Sequence, residues 1–263
     1  MKPYMSYWSG GYLKTPNEFT LNLHKICAFY LKKHFGEVHF FTDSYSLPFF
    51  KDIEFSSIKI EFDDLPKAYG EVWSLNKLYA YKIISQKGIP FVHVDYDVIL
   101  WKDFEDRIKK AGIFAQCIEE NSKIFYKVEQ FKRNCPNLHL MTKASPEHGI
   151  NVGVIGGNDL EFLYNYSNSA LELILDDKNK NFWLHYNGFS KSWHKAVISE
   201  QYYLAVCSEV FNKKIEMIFP DGWPKEPKDE KIIKEKGYTH CMGLKYDLVF
   251  QERIKSLVEK LDL

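Results

Sequence analysis

Short apolar runs alternate along this chain with longer stretches in which apolar residues recur every three or four positions. The runs predict β-strands, and the longer stretches predict amphipathic helices. We expect strands at residues 2–8, 38–41, 57–62, 91–94, 112–119, 151–155 and 215–219. We expect helices at about residues 17–36, 71–86, 122–133, 159–175, 199–210 and 246–261. This alternation predicts an α/β fold with a mostly parallel central sheet flanked by helices.

The chain is predicted to form a single domain over residues 1–263, because no Pro-, Gly- or Ser-rich linker, repeat or low-complexity tract interrupts it. The Pro- and charge-rich segment 220–236 is expected at the surface. An aromatic loop at 182–193 has two interpretations. It could line a binding site for a sugar acceptor, or it could fold onto the domain as a hydrophobic lid.

The charge balance argues against a nucleic acid partner. Lys plus Arg and Asp plus Glu each number 35, so the formal net charge is zero and the usual electrostatic reason to expect nucleic acid is missing. No apolar run approaches the length of a transmembrane helix, and no secretory signal is visible. The five cysteines are scattered and form no Cys-x-x-Cys pair. That distribution favours thiols in a reducing compartment, and hence a cytoplasmic location.

Two acidic residues, Asp95 and Asp97, follow the apolar run Phe91–Val94, and Val98–Leu100 is apolar again. In an extended chain, residues two apart point to the same side and lie about 6 to 7 Å from each other. Two carboxylates at the carboxyl end of a buried strand repel each other and favour a cation. Oxygen ligands of this kind suit Mg²⁺ or Mn²⁺. The alternative is a turn in which one aspartate only accepts hydrogen bonds from the backbone.

Five segments, in their order along the chain, resemble motifs of one enzyme family. Pro90–Val98 is similar to the hydrophobic strand and DxD motif of GT-A glycosyltransferases, particularly the glycogenin-like and related bacterial families. The other segments are Trp73–Lys77, Asn151–Ile155, Ser199–Gln201 and His240–Lys245. The resemblance extends over nearly the whole chain and implies a single GT-A-like domain.

The resemblance implies a transferase that moves a hexose from a nucleotide diphosphate sugar, with UDP as the expected carrier, to a hydroxyl group of a glycan or other acceptor. Residues 1–119 would bind the nucleotide and residues 120–263 the acceptor. A histidine among the metal ligands resembles the retaining members. Two alternatives stay open: a nucleotidyltransferase, which also uses metal held by aspartates, and a non-catalytic module that binds a glycan or a nucleotide.

The resemblance assigns a Mn²⁺ or Mg²⁺ ion to Asp95, Asp97 and His240. Asp97 and His240 lie far apart in the sequence. The assignment therefore requires the fold to bring these two side chains within a few ångströms of each other, in a cleft beside Asn151. Without the resemblance, His240 would be interpreted as an ordinary hydrogen-bonded histidine near a loop.

The resemblance assigns nucleotide binding to Tyr7, Trp8, Lys77, Asp95 and Lys245. Tyr7 and Trp8 occupy the strand that borders the base in the GT-A fold, and aromatic faces can stack on a uracil or guanine ring. The two lysines would neutralise the departing diphosphate. For either lysine the alternative is a solvated ammonium group at the surface. Lys245 comes one residue earlier than in the glycogenin-like spacing.

Lys77, Asn151 and Glu200 are the predicted catalytic residues. In the related families the asparagine and the backbone after it approach the donor sugar, and here Val152 replaces the usual serine. Glu200 stands where aspartate is usual. It would orient the acceptor hydroxyl or the donor sugar, or act as a base. The alternative is a carboxylate in the first turn of a helix, where the helix dipole favours it.

Overall fold

A computed structural model describes residues 1–11, 14–191, 193–223, 234–242, 244 and 247–263. Within these residues the strands form one seven-stranded sheet and a second sheet of two strands. The strands are β1 (Lys2–Ser6), β2 (His39–Thr42), β3 (Ser57–Ile60), β4 (Phe91–Val94), β5 (Val98–Leu100), β6 (Ile113–Glu119), β7 (Gly149–Gly157), β8 (Glu216–Phe219) and β9 (Tyr238–His240).

Helices connect these strands and flank the large sheet. They are α1 (Glu18–Phe35), α2 (Leu47–Phe50), α3 (Leu75–Ser85), α4 (Asp106–Lys109), α5 (Ser122–Phe125), α6 (Val128–Asn134), α7 (Leu160–Leu175), α8 (Lys180–His185), α9 (Trp193–Val197), α10 (Tyr203–Val210) and α11 (Leu248–Leu261). Short 3₁₀ helices lie at Lys67–Tyr69 and His139–Thr142, and a π-helical turn at Ile198–Tyr202 joins α9 to α10.

The large sheet has the order β3-β2-β1-β4-β7-β6-β8 over the described residues. β1 runs parallel to β2 and β4, β2 parallel to β3, and β6 parallel to β8. β7 pairs antiparallel with β4 on one side and with β6 on the other. The other described strands of this sheet therefore share one direction. The predicted α/β class, a mostly parallel sheet flanked by helices, is confirmed.

The boundaries of α1 follow from its capping residues. The side chain of Asn17 accepts a hydrogen bond from the backbone N–H of Thr20 at 2.8 Å and so caps the first turn. Gly36 ends the helix with a φ of 78°, which glycine adopts without strain, and donates its N–H to the carbonyl of Lys32. The buried side of α1 packs on the sheet and on α11.

β4 lies between two buried apolar clusters, because successive residues of a strand point to opposite faces of the sheet. Phe91 packs in the cluster that includes α3 and α7. Val92 and Val94 pack in the cluster that includes α1. β4 also has a hydrogen-bonded neighbour on each edge. The carboxyl end of β4, which leads into Asp95, is therefore fixed by packing on both faces and by strand pairing on both edges.

The small sheet joins the middle of the chain to its C-terminal part. β5 follows Asp97 directly, and Val98 pairs with His240 in the antiparallel register of β5 and β9. The backbone N–H of Cys241 donates to the carbonyl of Asp97 at 2.8 Å. This pairing places His240 beside the carboxyl end of β4.

Three predictions of local structure are wrong. The predicted helix at 122–133 is divided into α5 and α6, because Lys127 between them adopts a left-handed φ of 60°. The predicted aromatic loop at 182–193 contains most of α8. The predicted helix at 199–210 begins earlier, at Trp193, so Glu200 lies inside a continuous helical run. The interpretation of Glu200 as a first-turn carboxylate is therefore wrong.

No helix within the described residues is long and apolar enough to cross a membrane. All five cysteines belong to the described part of the chain, where each is buried and no disulfide is formed. Most of the predicted surface segment 220–236 falls outside the described residues.

Candidate metal and substrate site

The candidate site lies at the carboxyl end of β4, where the chain turns into β5. Asp95 donates its backbone N–H to the carbonyl of Gly153 at 2.8 Å, and Val98 donates its N–H to the carbonyl of Asp95 at 3.0 Å. These bonds fix the backbone on both sides of Asp97. The side chain of Asp95 is 19% exposed and that of Asp97 is 7% exposed. Both carboxylates are therefore largely shielded from water.

His240 completes a cluster of three potential metal ligands. Its Nε2 lies 3.5 Å from Oδ1 of Asp97. One ligand atom from each of Asp95, Asp97 and His240 falls within 4.8 Å of the others. Protein ligands lie about 2.0 to 2.6 Å from a bound divalent cation, so atoms at these separations can share one ion. The fold brings these residues together as the assignment required, and metal binding itself stays a prediction.

The electrostatics of the aspartates favour a cation at this position. Burial raises the pKa of the Asp95 carboxyl, Lys77 partly opposes that rise, and the neighbouring Asp97 adds to it. A divalent cation between the two carboxylates would remove their mutual repulsion. Mn²⁺ accepts both carboxylate oxygen and imidazole nitrogen. The side chains present are therefore compatible with the predicted ion.

The hydrogen bond at the second ring nitrogen of His240 also fits a metal ligand. Nδ1 of His240 lies 2.7 Å from Oε1 of Gln116, and the hydroxyl of Tyr238 donates to the same oxygen at 2.7 Å. An amide oxygen only accepts hydrogen bonds, so Nδ1 is the donor to Gln116, and a neutral ring held in this way presents the lone pair of Nε2. Nε2 faces Asp97. A metal-ligating histidine is commonly held by such a bond to its other nitrogen.

Lys77 reaches the site from α3 and lies between two carboxylates. Its Nζ is 3.0 Å from Oδ2 of Asp95 and 2.9 Å from Oε1 of Glu200. The residue is 6% exposed. Burial by itself lowers the pKa of Lys77, but Asp95 and Glu200 outweigh burial and raise the pKa above its usual value. Lys77 is therefore a buried cation, and its interpretation as a surface ammonium group is wrong.

Glu200 is fully buried in the π-helical turn. Its Oε1 contacts Lys77 and accepts a hydrogen bond from the hydroxyl of Tyr81 at 3.2 Å. Its Oε2 has no hydrogen-bond partner among the described residues. Burial raises the pKa of Glu200 to about 7, Lys77 opposes the rise and Asp95 supports it. A buried carboxyl group with one unsatisfied oxygen and a shifted pKa is typical of a functional site, as is a π-helical turn.

Asn151 is anchored in β7 next to the acidic cluster. Its Oδ1 accepts a hydrogen bond from the backbone N–H of Gly153 at 2.9 Å, and its Nδ2 donates to Oε1 of Glu119 at 2.5 Å. Glu119 also accepts a hydrogen bond from the hydroxyl of Tyr126, which lies 2.6 Å from Oε1 of Gln201. A chain of polar side chains therefore extends the site from β7 towards the π-helical turn.

A family model described as a family of unknown function matches residues 5–261. The chain belongs to this family, DUF6734. The match includes Lys77, Asp95, Asp97, Glu200 and His240. No curated protein matches the sequence.

Two of the predicted nucleotide contacts of this DUF6734 protein, Tyr7 and Trp8, are buried in separate apolar clusters. The Tyr7 ring is buried, with its centroid 4.9 Å from that of Phe50. Trp8 is buried in the other core cluster, and its ring lies against Gly10. Stacking of either ring on a base stays a prediction. Lys245, the second predicted phosphate contact, lies outside the described residues.

Sequence motifs did not identify Gln116, Tyr238 or Glu119 in this DUF6734 protein. The available signal for Gln116 is its place as a polar residue in the otherwise apolar run Ile113–Ile118, since a buried polar side chain needs a specific partner. Its actual partners lie on β9, which no local pattern indicates. Glu119 and Tyr238 carried no comparable signal.

Proposed function

We propose that this protein is a metal-dependent glycosyltransferase that moves a hexose from a nucleotide diphosphate sugar, with UDP as the carrier, to a hydroxyl group of a glycan or other acceptor. The observation that carries the proposal is the convergence of Asp95, Asp97 and His240 within 4.8 Å, next to the buried cation Lys77. Carboxylates with an adjacent lysine suit a divalent cation and the phosphates of a nucleotide.

Asp95, Asp97 and His240 would hold the ion, which we propose to be Mn²⁺ or Mg²⁺. When bound, such an ion neutralises charge on a departing diphosphate and acts as a Lewis acid. The two carboxylates and the imidazole supply an anionic, largely buried set of ligands. That arrangement favours a divalent cation over a monovalent one, because the negative charge is concentrated and shielded from water.

Lys77 is the proposed phosphate contact. An ammonium group has three N–H donors, and within the described chain Asp95 and Glu200 take up two of them. The third can meet an oxygen of the diphosphate. Since the charge on that group grows as the glycosidic bond breaks, a buried cation stabilises the transition state more than the bound substrate.

Glu200 and Asn151 are proposed to act on the sugars. A pKa of about 7 leaves Glu200 able to accept or donate a proton near neutral pH. Its second oxygen has no hydrogen-bond partner among the described residues and no exposed surface, so a substrate hydroxyl binds it only if the site opens. Asn151 already donates to Glu119 and accepts from Gly153, so its orientation is fixed before a donor sugar arrives. We also place the protein in the cytoplasm, a location that its five thiols support.

The experiment is incubation of the protein with a panel of UDP-sugars and Mn²⁺, with free UDP and free sugar measured. Slow hydrolysis that depends on the metal supports the transferase. Pyrophosphate release from a nucleoside triphosphate would favour a nucleotidyltransferase instead. Binding without turnover would favour a non-catalytic module. Proton NMR of the released sugar reports whether its anomeric configuration is retained.

Asp97→Asn is the variant that links this activity to the site. Replacing a carboxylate ligand by a neutral amide should remove most Mn²⁺-dependent UDP binding in calorimetry. Loss of a residue that only orients a ligand costs about 10- to 100-fold in metal affinity, so loss of the ligand itself should cost at least that. Asp103→Asn is the matched control, because Asp103 is exposed and pairs with Lys109. Equal UDP affinity in the two variants would reject the metal assignment.

A further inference from the structure

The pairing of β6 with β7 is interrupted beside the candidate site. Ala115 pairs with Ile155 and Cys117 pairs with Asn151, so one residue of β6, Gln116, lies opposite three residues of β7. Gly153 is the middle one of the three. Its carbonyl accepts a hydrogen bond from the N–H of Asp95, at the end of β4. Irregularities of this kind commonly re-aim a side chain next to an active site.

The side chain of Gln116 is fully buried and points to β9. Its Oε1 accepts hydrogen bonds from Tyr238 and from Nδ1 of His240, each at 2.7 Å. Tyr238 and His240 are two residues apart on one strand, so both point to the same side. A single amide oxygen therefore fixes the rotation of the His240 ring, while the amide nitrogen of Gln116 has no hydrogen-bond partner among the described residues.

Gly153 makes the room that this contact needs. A Cβ atom at position 153 would lie 2.5 Å from Oε1 of Gln116 and 2.6 Å from Cε1 of His240. Both distances are shorter than a Cβ atom can approach another heavy atom, so only glycine fits at this position without displacing Gln116 or His240. Gly153 is not one of the described glycines with a positive φ. Lack of space, and not backbone conformation, therefore excludes other residues at this position.

We propose that Gln116 is a positioning residue for the metal site, and that it works together with the space left by Gly153. Gln116 holds the His240 ring through Nδ1, so that Nε2 is directed at Asp97. This inference rests on the proposed function, because it assigns how one of the proposed metal ligands is held ready. The residue that orients the proposed ligand His240 therefore lies on β6, a strand that carries none of the proposed ligands.

The first test is the ring tautomer of His240 in the metal-free protein, read from ¹⁵N NMR shifts of labelled histidine. In the wild type, Nδ1 should carry the proton. Gln116→Leu removes the acceptor and should shift the population towards the Nε2–H form. Gln116→Glu keeps an acceptor at that place and should restore the Nδ1–H form. A wild-type ring with no proton on Nδ1, or an unchanged tautomer in Gln116→Leu, would overturn the inference.

The second test is titration with Mn²⁺ alone, followed by calorimetry. Gln116→Leu should bind the ion about 10- to 100-fold more weakly than the wild type, as is typical when the hydrogen-bond partner of a ligating histidine is lost. Gln116→Glu should stay within about threefold of the wild type. Gln86→Leu, at an exposed position directly after α3, should leave the affinity unchanged. Gly153→Ala is the second variant, for the case in which Gln116→Leu fails to fold. It should also weaken Mn²⁺ binding.

The outcomes separate the two proposals. A wild-type protein that does not bind Mn²⁺ would overturn the metal site, and the inference with it. Wild-type Mn²⁺ binding that persists with equal affinity in Gln116→Leu and Gly153→Ala would overturn the inference but leave the proposed function standing. Weaker binding in both variants, restored in Gln116→Glu, supports the inference.

Discussion

The ammonium group of Lys77 joins two carboxylates that come from opposite halves of the chain. Asp95 follows β4, and Glu200 belongs to the π-helical turn. Removing one partner of a buried ion pair typically destabilises a protein by about 3 to 5 kcal/mol, because a charge is left in a poorly solvated place. Substitution of Lys77, Asp95 or Glu200 should therefore affect both the stability and the function of the protein.

Lys77→Ala should lower the turnover of the proposed reaction by about 100-fold, while the Michaelis constant for the UDP-sugar changes much less. The reason is that the cation is needed most when the diphosphate charge develops. Steady-state kinetics measures the two effects separately. Lys82→Ala, on the same helix but only half-buried, serves as the control. A change confined to the Michaelis constant would instead indicate that Lys77 binds substrate and transition state equally.

The elevated pKa of Glu200 makes the stability of the folded protein depend on pH. A folded-state pKa of about 7, against an ordinary value of 4.5, means that the folded protein holds a proton which the unfolded chain releases. Stability contributed by this group is therefore present below about pH 4.5 and is lost as pH rises towards 7. The span between the two pKa values limits the loss to about 3 kcal/mol.

Glu200→Gln tests this pH dependence, because the amide does not titrate. Urea unfolding of both proteins at intervals from pH 4.5 to 8 should show the wild type losing stability relative to the variant as pH rises. The slope of the difference matters here, and not its level, since the variant also loses an ionic contact with Lys77. A flat difference over this range would place the pKa of Glu200 near its ordinary value.

At the scale of secondary structure, local pattern predicted the elements that carry a signal in their own residues and missed those that depend on distant pairing or on one unusual backbone angle. The caps at Asn17 and Gly36 and the apolar run Phe91–Val94 are local signals, and the structure follows them. β9 could not be predicted, because three residues become a strand only through pairing with β5. The division between α5 and α6 was missed because nothing in the sequence marks Lys127 as left-handed.

Gly237 offers a test of how β9 supports the site. It has a φ of 63°, and a Cβ atom there would lie 2.4 Å from Cβ of Lys102. Its carbonyl accepts a hydrogen bond from the N–H of Trp101 at 2.7 Å. Gly237→Ala should therefore displace the start of β9, and with it His240, and so weaken Mn²⁺ binding in calorimetry as well as lower stability.

Gly36→Ala is the matched control for Gly237→Ala. Its φ of 78° is similarly left-handed, but nothing lies within 4 Å of the added atom. It should cost only the conformational penalty, about 1 to 2 kcal/mol, with Mn²⁺ affinity unchanged. If both variants lost the same stability and kept the same affinity, β9 would not be what positions His240.

At the scale of the whole molecule, the order of the motifs could be predicted but their geometry could not. Asp95 and Asp97 are close to each other for a local reason, but they lie in a turn between β4 and β5, closed by the bond from the N–H of Val98 to the carbonyl of Asp95, and not in the extended chain that the sequence predicted. The approach of His240 and Gln116 depends on two sheets meeting, which involves strands from distant parts of the chain. The burial of Lys77 and Glu200 likewise follows from packing between α3 and the π-helical turn, and not from the residues next to them.

Mn²⁺ should stabilise the folded chain against heat, because the proposed ligands come together only in the folded state. At an ion concentration of about 100 times the dissociation constant, the gain is about 2.7 kcal/mol. For a chain of this size that corresponds to a rise in Tm of roughly 5 to 10 °C. Differential scanning calorimetry with and without Mn²⁺ measures it. A similar rise in Asp97→Asn would show that the ion acts elsewhere.

The position of the reversed strand β7 has a consequence for synthesis on the ribosome. β1 to β4 leave the ribosome first, but β7, which covers the second edge of β4, is translated much later. Until then the N–H and C=O groups along that apolar edge have no neighbouring strand. Such an edge is a template for pairing with another chain. Nascent chains stalled before residue 149 should therefore depend most on chaperones, and fragments released at that stage should aggregate.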